Sequence, residues 1–144
     1  MRYLLASALV VAGMGAWTAQ ASAGGEAGLV ASWYELHLGR CADPAGLAGW
    51  AHQVRCAGPE AARAGILGSD EYYCRHGGTP EGFVTGLYRE VLGREPACAE
   101  VASWVCNLRR CGDRGRLALD FLVAARTELA IRASVPPAPY DPGY

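Results

Sequence analysis

Apolar residues recur at helical spacing along most of this chain, and one stretch of this pattern occurs twice. Its second occurrence forms a single helical stripe made of Phe83, Val84, Leu87, Tyr88, Val91 and Leu92. The first occurrence, residues 29–40, ends in Leu-Gly-Arg, as does the second, residues 83–94. Glycine adopts the left-handed conformation without a Cβ penalty. We therefore predict that helices end at Gly39 and Gly93.

Both phrases belong to a longer internal duplication. Residues 29–58 align with residues 83–112 at a constant offset of 54, without a gap, and ten positions are identical. Self-similarity at a fixed offset is the mark of a duplicated structural unit. The repeats extend over about residues 29–73 and 83–129.

Each repeat continues with two further helices. Asp43 can cap the second helix and Pro44 can occupy its first turn, while Gly58 ends it. A third helix is predicted over about residues 59–67, with its counterpart over 114–122. Neither copy shows the sustained alternation that indicates a strand.

Neither repeat has much core of its own, so the two apolar faces are expected to pack together. Two copies are also too few for an open solenoid. The predicted fold class is all-α, a compact helical globule built from two pseudo-symmetric three-helix repeats.

The first 23 residues have the pattern of a secretory signal peptide. An apolar run from Leu4 to about Trp17 precedes the small-x-small sequence Ala21-Ser22-Ala23. The run is short for a membrane span of about 20 residues. We expect cleavage after Ala23, a duplicated domain over 24–132, a Pro-rich flexible tail over 133–144 and a secreted or periplasmic location without a stable membrane span.

Charge and cysteine content narrow the function further. Without Arg2 the chain keeps 12 basic against 14 acidic residues, a balance that argues against a general nucleic-acid binder. An even number of cysteines in an exported chain favours disulfides, so three bridges are predicted among Cys41, Cys56, Cys74, Cys98, Cys106 and Cys111.

The helix layout restricts the pairing of these cysteines. Bridges 41–56 and 98–111 would span a whole helix of about 18 Å, which a disulfide cannot do. A two-fold relation would allow 41–98 and 56–111, leaving 74–106, while a local 106–111 bridge competes.

The phrases "FVTGLYREVLGREP", "LGRCADPAGLAGW" and "GSDEY" resemble a bacterial family, the domain of unknown function numbered 4214. Its helical unit is similar to the phycobilisome linker domain. The second copy departs from the family phrase at Ala97, Glu100, Val101 and Leu129, and the six cysteines are not part of that phrase. The resemblance implies an accessory module of exported or surface proteins, with no assigned activity.

Several side chains are predicted to have structural roles. Trp50 and Trp104 stand at helical spacing and are expected to pack in the core, although an aromatic platform for sugars is the alternative. Arg40 and Arg94 are expected to pair with the acids that end their own repeats, Glu71 and Glu128, with anion binding as the alternative.

One exposed cluster is a candidate binding patch for phosphate or an acidic glycan: Arg109, Arg110, Arg114 and Arg116. The sequence favours the interpretation of this cluster as a solvated helix end, since helix C-termini attract cations.

The sequence contains only weak signs of a catalytic site. His37, His52 and His76 occupy no repeated position, and the chain has no metal-binding signature of HExxH or paired Cys-x-x-Cys type. Cys74 with His76 could serve as nucleophile and base, and Cys56 could join them around zinc, but an exported thiol is expected to be oxidised. We predict no cofactor and an exported, non-catalytic module that binds an envelope or extracellular protein or glycan. The alternative is a small secreted hydrolase using Cys74 and His76 or a carboxylate pair.

Overall fold

A computed structural model describes residues 20–134, which are almost entirely helical. In chain order the helices are α1 (Gln20–Trp33), α2 (Pro44–Ala57), α3 (Pro59–Leu67), α4 (Asp70–Arg75), α5 (Pro80–Leu87), α6 (Cys98–Cys111) and α7 (Arg114–Ser134). No strand occurs within residues 20–134, so the prediction of an all-α fold is confirmed.

Helices α1 and α5 both continue into a wider, π-helical turn. The first π-turn is Tyr34–Leu38 and the second is Tyr88–Leu92. Gly39 and Gly93 follow them with φ angles of 65° and 63°, so the predicted left-handed helix ends are confirmed. The π geometry itself was not predicted, because the apolar spacing alone does not distinguish one wide turn from a regular one.

The second helix of each copy begins differently at its N-terminus. In the first copy the Asp43 carboxylate accepts a hydrogen bond from the Gly46 amide at 2.8 Å, as predicted. In the second copy Ala97 has no side chain for this role, and the Glu100 carboxylate instead accepts from the Ala97 amide at 2.8 Å. The capping carboxylate thus precedes the helix in the first copy and lies in its first turn in the second. In both copies it accepts from a backbone N–H group that has no partner within the helix.

Packing of α3 against α7 is the most extensive contact between two helices. Helix α2 packs on α3 and α1 on α2, while α6 packs on α7 and α5 on α6. The side chains buried furthest in this core are those of Val30, Ile66, Leu67, Tyr72, Phe83, Val84, Leu87 and Phe121. At Gly68 the two helices come so close that an added Cβ would lie 2.5 Å from the Cα of Gly115.

Helix α7 corrects one sequence expectation. Its first part corresponds to the predicted helix over 114–122, but the helix runs on to Ser134. In the first copy the chain breaks at Gly68, and Ser69 caps a separate α4 by accepting from the Tyr72 amide at 3.2 Å. The second copy has no Gly-Ser break at the equivalent place, so the helix continues.

Two predicted segments fall largely outside the described residues. Of the signal peptide, residues 1–23, only the last four are described, as the first turn of α1. Of the tail, residues 133–144, only the first two are described, at the end of α7. Among residues 20–134 no helix is both long and apolar enough to cross a membrane.

We predict that Gly68→Ala destabilises the protein by about 1–3 kcal/mol, because its Cβ must displace backbone of the facing helix rather than a mobile side chain. The matched control is Gly49→Ala in α2, where an added Cβ meets no atom within 4 Å. That change should leave stability the same or raise it by up to about 1 kcal/mol. Denaturant unfolding measures both, and equal effects would contradict the close approach of α3 and α7.

Candidate functional site: a buried histidine–glutamate network beside a groove

The arginine that follows each left-handed glycine holds the end of its own repeat. Arg40 donates to both carboxylate oxygens of Glu71 at 2.5 and 2.7 Å. Arg94 donates to both oxygens of Glu128 at 2.8 and 3.1 Å. Each guanidinium also lies over the tyrosine of its own π-turn, 5.0 and 4.7 Å from the ring centroid. The geometry is that of a structural ion pair, in which the carboxylate already occupies the anion position of each arginine.

Around Arg94 the network is larger than around Arg40. The guanidinium also donates to both oxygens of Glu100 at 2.8 and 2.7 Å. These bonds, together with the bond from the Ala97 amide, lower the pKa of Glu100 from 4.5 to about 2. Arg94 likewise lowers the pKa of Glu128. Both acids therefore stay charged at any pH near neutrality.

Both tryptophans pack rather than form a platform on the surface. Trp104 donates from Nε1 to the Tyr88 hydroxyl at 3.0 Å, and its ring meets Phe121 edge-on at a centroid distance of 5.3 Å. Trp50 lies against Gly65, where an added Cβ would come within 2.4 Å of the ring. Each indole thereby fills space between helices of its own half.

A buried polar network joins the two halves of the molecule. The His37 ring, on the first π-turn, is completely buried, and its Nδ1 lies 2.6 Å from Oε2 of Glu90 on the second π-turn. The other oxygen of Glu90 lies 3.0 Å from Nε2 of His76. Arg63, on α3, donates from Nε to Nε2 of His37 at 3.1 Å. One carboxylate thus bridges two imidazoles, and one imidazole bridges that carboxylate to a guanidinium.

The donor from Arg63 fixes the tautomer of His37. A guanidinium nitrogen can only donate, so Nε2 of His37 carries a lone pair and the ring proton sits on Nδ1, directed at Glu90. Tyr72 packs against both imidazoles, and its buried hydroxyl has no hydrogen-bond partner in the described part of the chain. Burial and the nearby charge of Glu90 raise the pKa of that hydroxyl above its usual range.

The His76 ring can join this network because Gly86 of α5 has no side chain to block it. Its ring lies against Gly86, where an added Cβ would be 2.6 Å from the imidazole. Glu90 and His76 keep only 18% and 17% of their side chains exposed. The network is therefore almost closed to solvent, which suits a structural role better than acid–base catalysis on a dissolved substrate.

Sequence reasoning did not find this network, since His37 and His76 were treated as unrelated. A signal existed in the repeat alignment. His37 aligns with Val91 and Glu90 aligns with Leu36, so each copy replaces an apolar residue by a polar one at neighbouring positions of the same turn. Position 37 lies inside the apolar stripe, so a histidine there indicates a buried hydrogen-bonded group, whereas position 90 lies outside the stripe and its counterpart Leu36 is 56% exposed.

The prediction of three disulfides is not met in the structure. All six cysteines are exposed free thiols on the outer faces of helices and turns. Cys106 and Cys111 both lie within α6, where five residues of regular helix hold their Cα atoms too far apart for a bridge. The layout that excluded the 41–56 and 98–111 bridges is retained, because α2 and α6 span those intervals.

The cysteine–histidine constellations considered from the sequence are not brought together. Cys74 forms no hydrogen bond with His76 within residues 20–134, and His76 is engaged by Glu90 instead. Cys56 contacts a different histidine, with its sulfur 3.4 Å from Nε2 of His52 on the same exposed face of α2. No group of three metal-ligating side chains gathers in the described residues, the set Cys56, Cys74 and His76 included.

The four arginines of the candidate patch do not act as one surface. Arg114 is anchored, donating to the Gly68 carbonyl at 3.2 Å and pairing with Asp70. Arg109, Arg110 and Arg116 are engaged separately, with Glu81 at 3.5 Å, Asn107 at 3.0 Å and Asp120 at 3.5 Å. Nearby acids offset most of this positive charge, which weakens the patch as an anion site.

A surface groove of about 420 Å³ opens next to the buried network, and we call it the Arg63 groove. Its walls come from α3, the second π-turn and α7, and its lining is Glu60, Arg63, Val91, Leu122, Ala125, Arg126, Leu129 and Ala130. Glu60 and Arg126 pair with each other across it. Arg63 forms no ion pair with any carboxylate in the part of the chain described, and burial lowers the pKa of its guanidinium.

Comparison with known proteins gives one match. Residues 62–127 match the family described as "Domain of unknown function (DUF4214)". The matched stretch begins in α3, includes α4, α5 and α6, and ends in α7, so it covers most of the second repeat but not residues 29–61 of the first. No curated protein and no solved structure matches the chain.

We predict that His37→Val, which installs the residue found at the equivalent place in the second copy, destabilises the protein by about 1–3 kcal/mol because Arg63 and Glu90 lose a buried partner. His52→Val is the control, since His52 is exposed on α2, and should change stability by no more than about 0.5 kcal/mol. Denaturant unfolding measures both. Nitrogen chemical shifts of the His37 ring should show the proton on Nδ1, and a proton on Nε2 would contradict the bond from Arg63.

A second prediction concerns acid stability. The Glu100 carboxylate has a folded-state pKa of about 2 against an ordinary 4.5, so it stabilises the fold above pH 4.5 and loses that effect as the pH falls toward 2. Glu100→Gln should lower the melting temperature at pH 7, and its difference from the wild type should shrink between pH 5 and pH 2. Arg94→Ala should follow the same course. Arg116→Ala, which removes an exposed i,i+4 pair, should change little, and a pH-independent difference for Glu100→Gln would contradict the assignment.

Proposed function

Residues 62–127 belong to the DUF4214 family, whose description assigns no activity, and we propose that this chain is an exported, non-catalytic module that binds a protein of the cell envelope or extracellular space. The proposed binding site is the Arg63 groove. The observation that carries the proposal is a half-buried arginine without an acid partner, facing an open groove with aliphatic walls.

Support for a non-catalytic role comes from how the titratable side chains are used. Glu90, His37 and His76 satisfy one another, and His37 is fully buried. General acid–base catalysis requires a group within hydrogen-bond reach of a bound substrate, and this network has little surface to offer. The alternative, a hydrolase built on Cys74 and His76, would need the Glu90–His76 bond to break before the imidazole could act as a base.

Support for binding comes from the chemistry of the Arg63 groove. Val91, Leu122 and Leu129 offer an aliphatic surface, and Leu129 keeps 43% of its surface exposed. Arg63 uses Nε for His37 and keeps its two terminal nitrogens for a ligand. A guanidinium that is partly removed from water binds a carboxylate more strongly than an exposed one does. The ligand that fits is a carboxylate next to an aliphatic group, as an acidic side chain beside a leucine or valine provides.

The lining favours a protein ligand over a glycan. Sugars stack on exposed aromatic faces, but the residues that line the Arg63 groove include no aromatic side chain. The indole of Trp104 is engaged in packing and hydrogen bonding. Aliphatic walls with one cation match an amphipathic peptide surface instead.

The location is proposed from the sequence of residues 1–23, with its apolar run and Ala-Ser-Ala site. Protein recovered from the envelope fraction of producing cells is expected to begin at Gly24. An intact Met1 on exported protein would contradict signal-peptide cleavage.

The experiment compares the mature wild type with three variants as baits in an envelope extract, with quantitative mass spectrometry of the captured proteins. Leu129→Asp places a negative charge in the Arg63 groove and should lose the specific partner. Val123→Asp is the matched control, since Val123 is exposed on α7 but does not line the groove, and should retain it. Arg63→Gln should weaken capture at least about tenfold, as for loss of a charged hydrogen bond.

Three outcomes would count against this function. The first is that no captured protein distinguishes Leu129→Asp from Val123→Asp. The second is that an acidic glycan, rather than a protein, binds the wild type and fails to bind Leu129→Asp. The third is a hydrolytic activity that Cys74→Ala abolishes while circular dichroism shows the helical fold intact.

A further inference from the structure

The outer face of α6 carries an apolar stripe with a thiol near each end. Cys98, Val101, Ala102, Val105, Cys106 and Arg109 follow one another at spacings of three, one, three, one and three residues, which places them on one side of the helix. Together with Glu81 of α5 they line a groove of about 480 Å³, separate from the Arg63 groove. Both thiols and Ala102 are exposed and Val101 is half-buried, whereas Val105 turns into the core and forms the floor of this groove.

The stripe is symmetric about Ala102. Cys98 stands four residues before Ala102 and Cys106 stands four residues after it. If a second α6 crosses this helix antiparallel at Ala102, each Cys98 faces the Cys106 of the other copy. An isologous contact of this kind repeats every pairing twice.

The distances suit a disulfide. Helices with a small residue at the crossing point approach to about 8–10 Å between axes. Cα atoms stand about 2.3 Å from each axis, and four residues turn by about 400°, so Cys98 and Cys106 lie about 40° to either side of Ala102. Their Cα atoms are then roughly 5.5–7 Å apart, which overlaps the range of about 4.4–6.8 Å for disulfides. Within one copy the same two thiols lie two turns apart, about 12 Å along the helix, and cannot bridge each other.

The same antiparallel two-fold pairing brings opposite charges together at the ends of the stripe. Arg109 stands seven residues after Ala102, and Glu95 stands seven residues before it, just ahead of α6. An antiparallel partner therefore brings Arg109 of each copy toward Glu95 of the other. Both side chains are mostly exposed, at 71% and 67%. Within its own copy Arg109 pairs with Glu81 at 3.5 Å and Glu95 pairs with Arg89 at 2.6 Å, so the contact between copies adds to two exposed ion pairs.

We propose that the α6 face binds a second copy of this chain, antiparallel about Ala102, and that two symmetric disulfides join Cys98 of each copy to Cys106 of the other. Each bond forms by thiol–disulfide exchange with a low-molecular-weight or protein disulfide. The two thiols lose two protons and two electrons, and the acceptor disulfide is reduced to two thiols. Val101 and Ala102 supply the apolar contact that orients the helices before the bonds form.

The first test places the mature protein in a buffer of oxidised and reduced glutathione, followed by alkylation and a non-reducing gel. The wild type should become a covalent dimer. Trypsin should release peptide 95–109 as a linked pair, four hydrogens lighter than two separate peptides, because Arg94 and Arg109 flank it. Further cleavage after Glu100 should leave peptide 95–100 joined to peptide 101–109, whereas a parallel pairing would join each peptide to its own copy.

Variants make the test specific. Cys98→Ser alone and Cys106→Ser alone should both remain monomeric on the non-reducing gel, because each removes one half of both bonds. An equimolar mixture of these two variants should recover a covalent dimer with a single disulfide. The double variant Cys41→Ser and Cys56→Ser, whose thiols lie outside this groove, should dimerise like the wild type.

Ala102→Glu keeps every thiol and tests the apolar contact itself. It should reduce the rate of covalent dimer formation by at least about tenfold, since a charge would be buried at the crossing point. Circular dichroism checks that α6 stays folded. A wild type that stays monomeric with free thiols in oxidising buffer would overturn the proposal, as would a Cys98→Ser variant that still dimerises or a mixture that fails to.

Discussion

The close packing of α3 on α7 is the constraint on which the other contacts depend. Gly68 and Gly115 let the two helices meet backbone to backbone, and Arg114 fixes the approach by donating to the Gly68 carbonyl. Each helix belongs to a different repeat, so this contact joins the two apolar faces that neither half could bury alone. It also sets how far apart the π-turns stand, and hence whether His37 can meet Glu90.

The buried network makes the join between halves specific, where apolar packing alone would tolerate small shifts. A carboxylate and a guanidinium placed in a core cost free energy unless their partners are fully in register. Glu90 meets that condition by bridging His37 and His76 across three elements of the chain. The network also breaks the symmetry of the repeat, because His37 stands where the second copy has Val91 and Glu90 stands where the first copy has Leu36. A sliding or exchanged pairing of the two halves would leave these groups unpaired.

Much of the fold could be predicted because its signals are local. The stripe from Phe83 to Leu92, the left-handed Gly39 and Gly93 and the Asp43 cap each depend on neighbours in sequence, and each is found in the structure. The predicted end of the last helix, at about residue 122, is wrong because only the first copy has the break that Gly68 and Ser69 encode. The network of His37, Glu90 and His76 depends on tertiary packing between residues up to 53 positions apart. No single local pattern could locate it, although the histidine in place of an apolar residue at position 37 marked one of its members.

The two grooves lie on different helices, and this separation has a functional consequence. The groove along the α6 stripe is lined by α5 and α6, whereas the Arg63 groove is lined by α3, the second π-turn and α7. A second copy bound through α6 therefore leaves the Arg63 groove of each copy open. The dimer would present two equivalent grooves in fixed relation, and a partner that repeats along an envelope surface could occupy both. The second binding event would then be intramolecular, so a weak groove of about 420 Å³ could still support tight attachment through avidity.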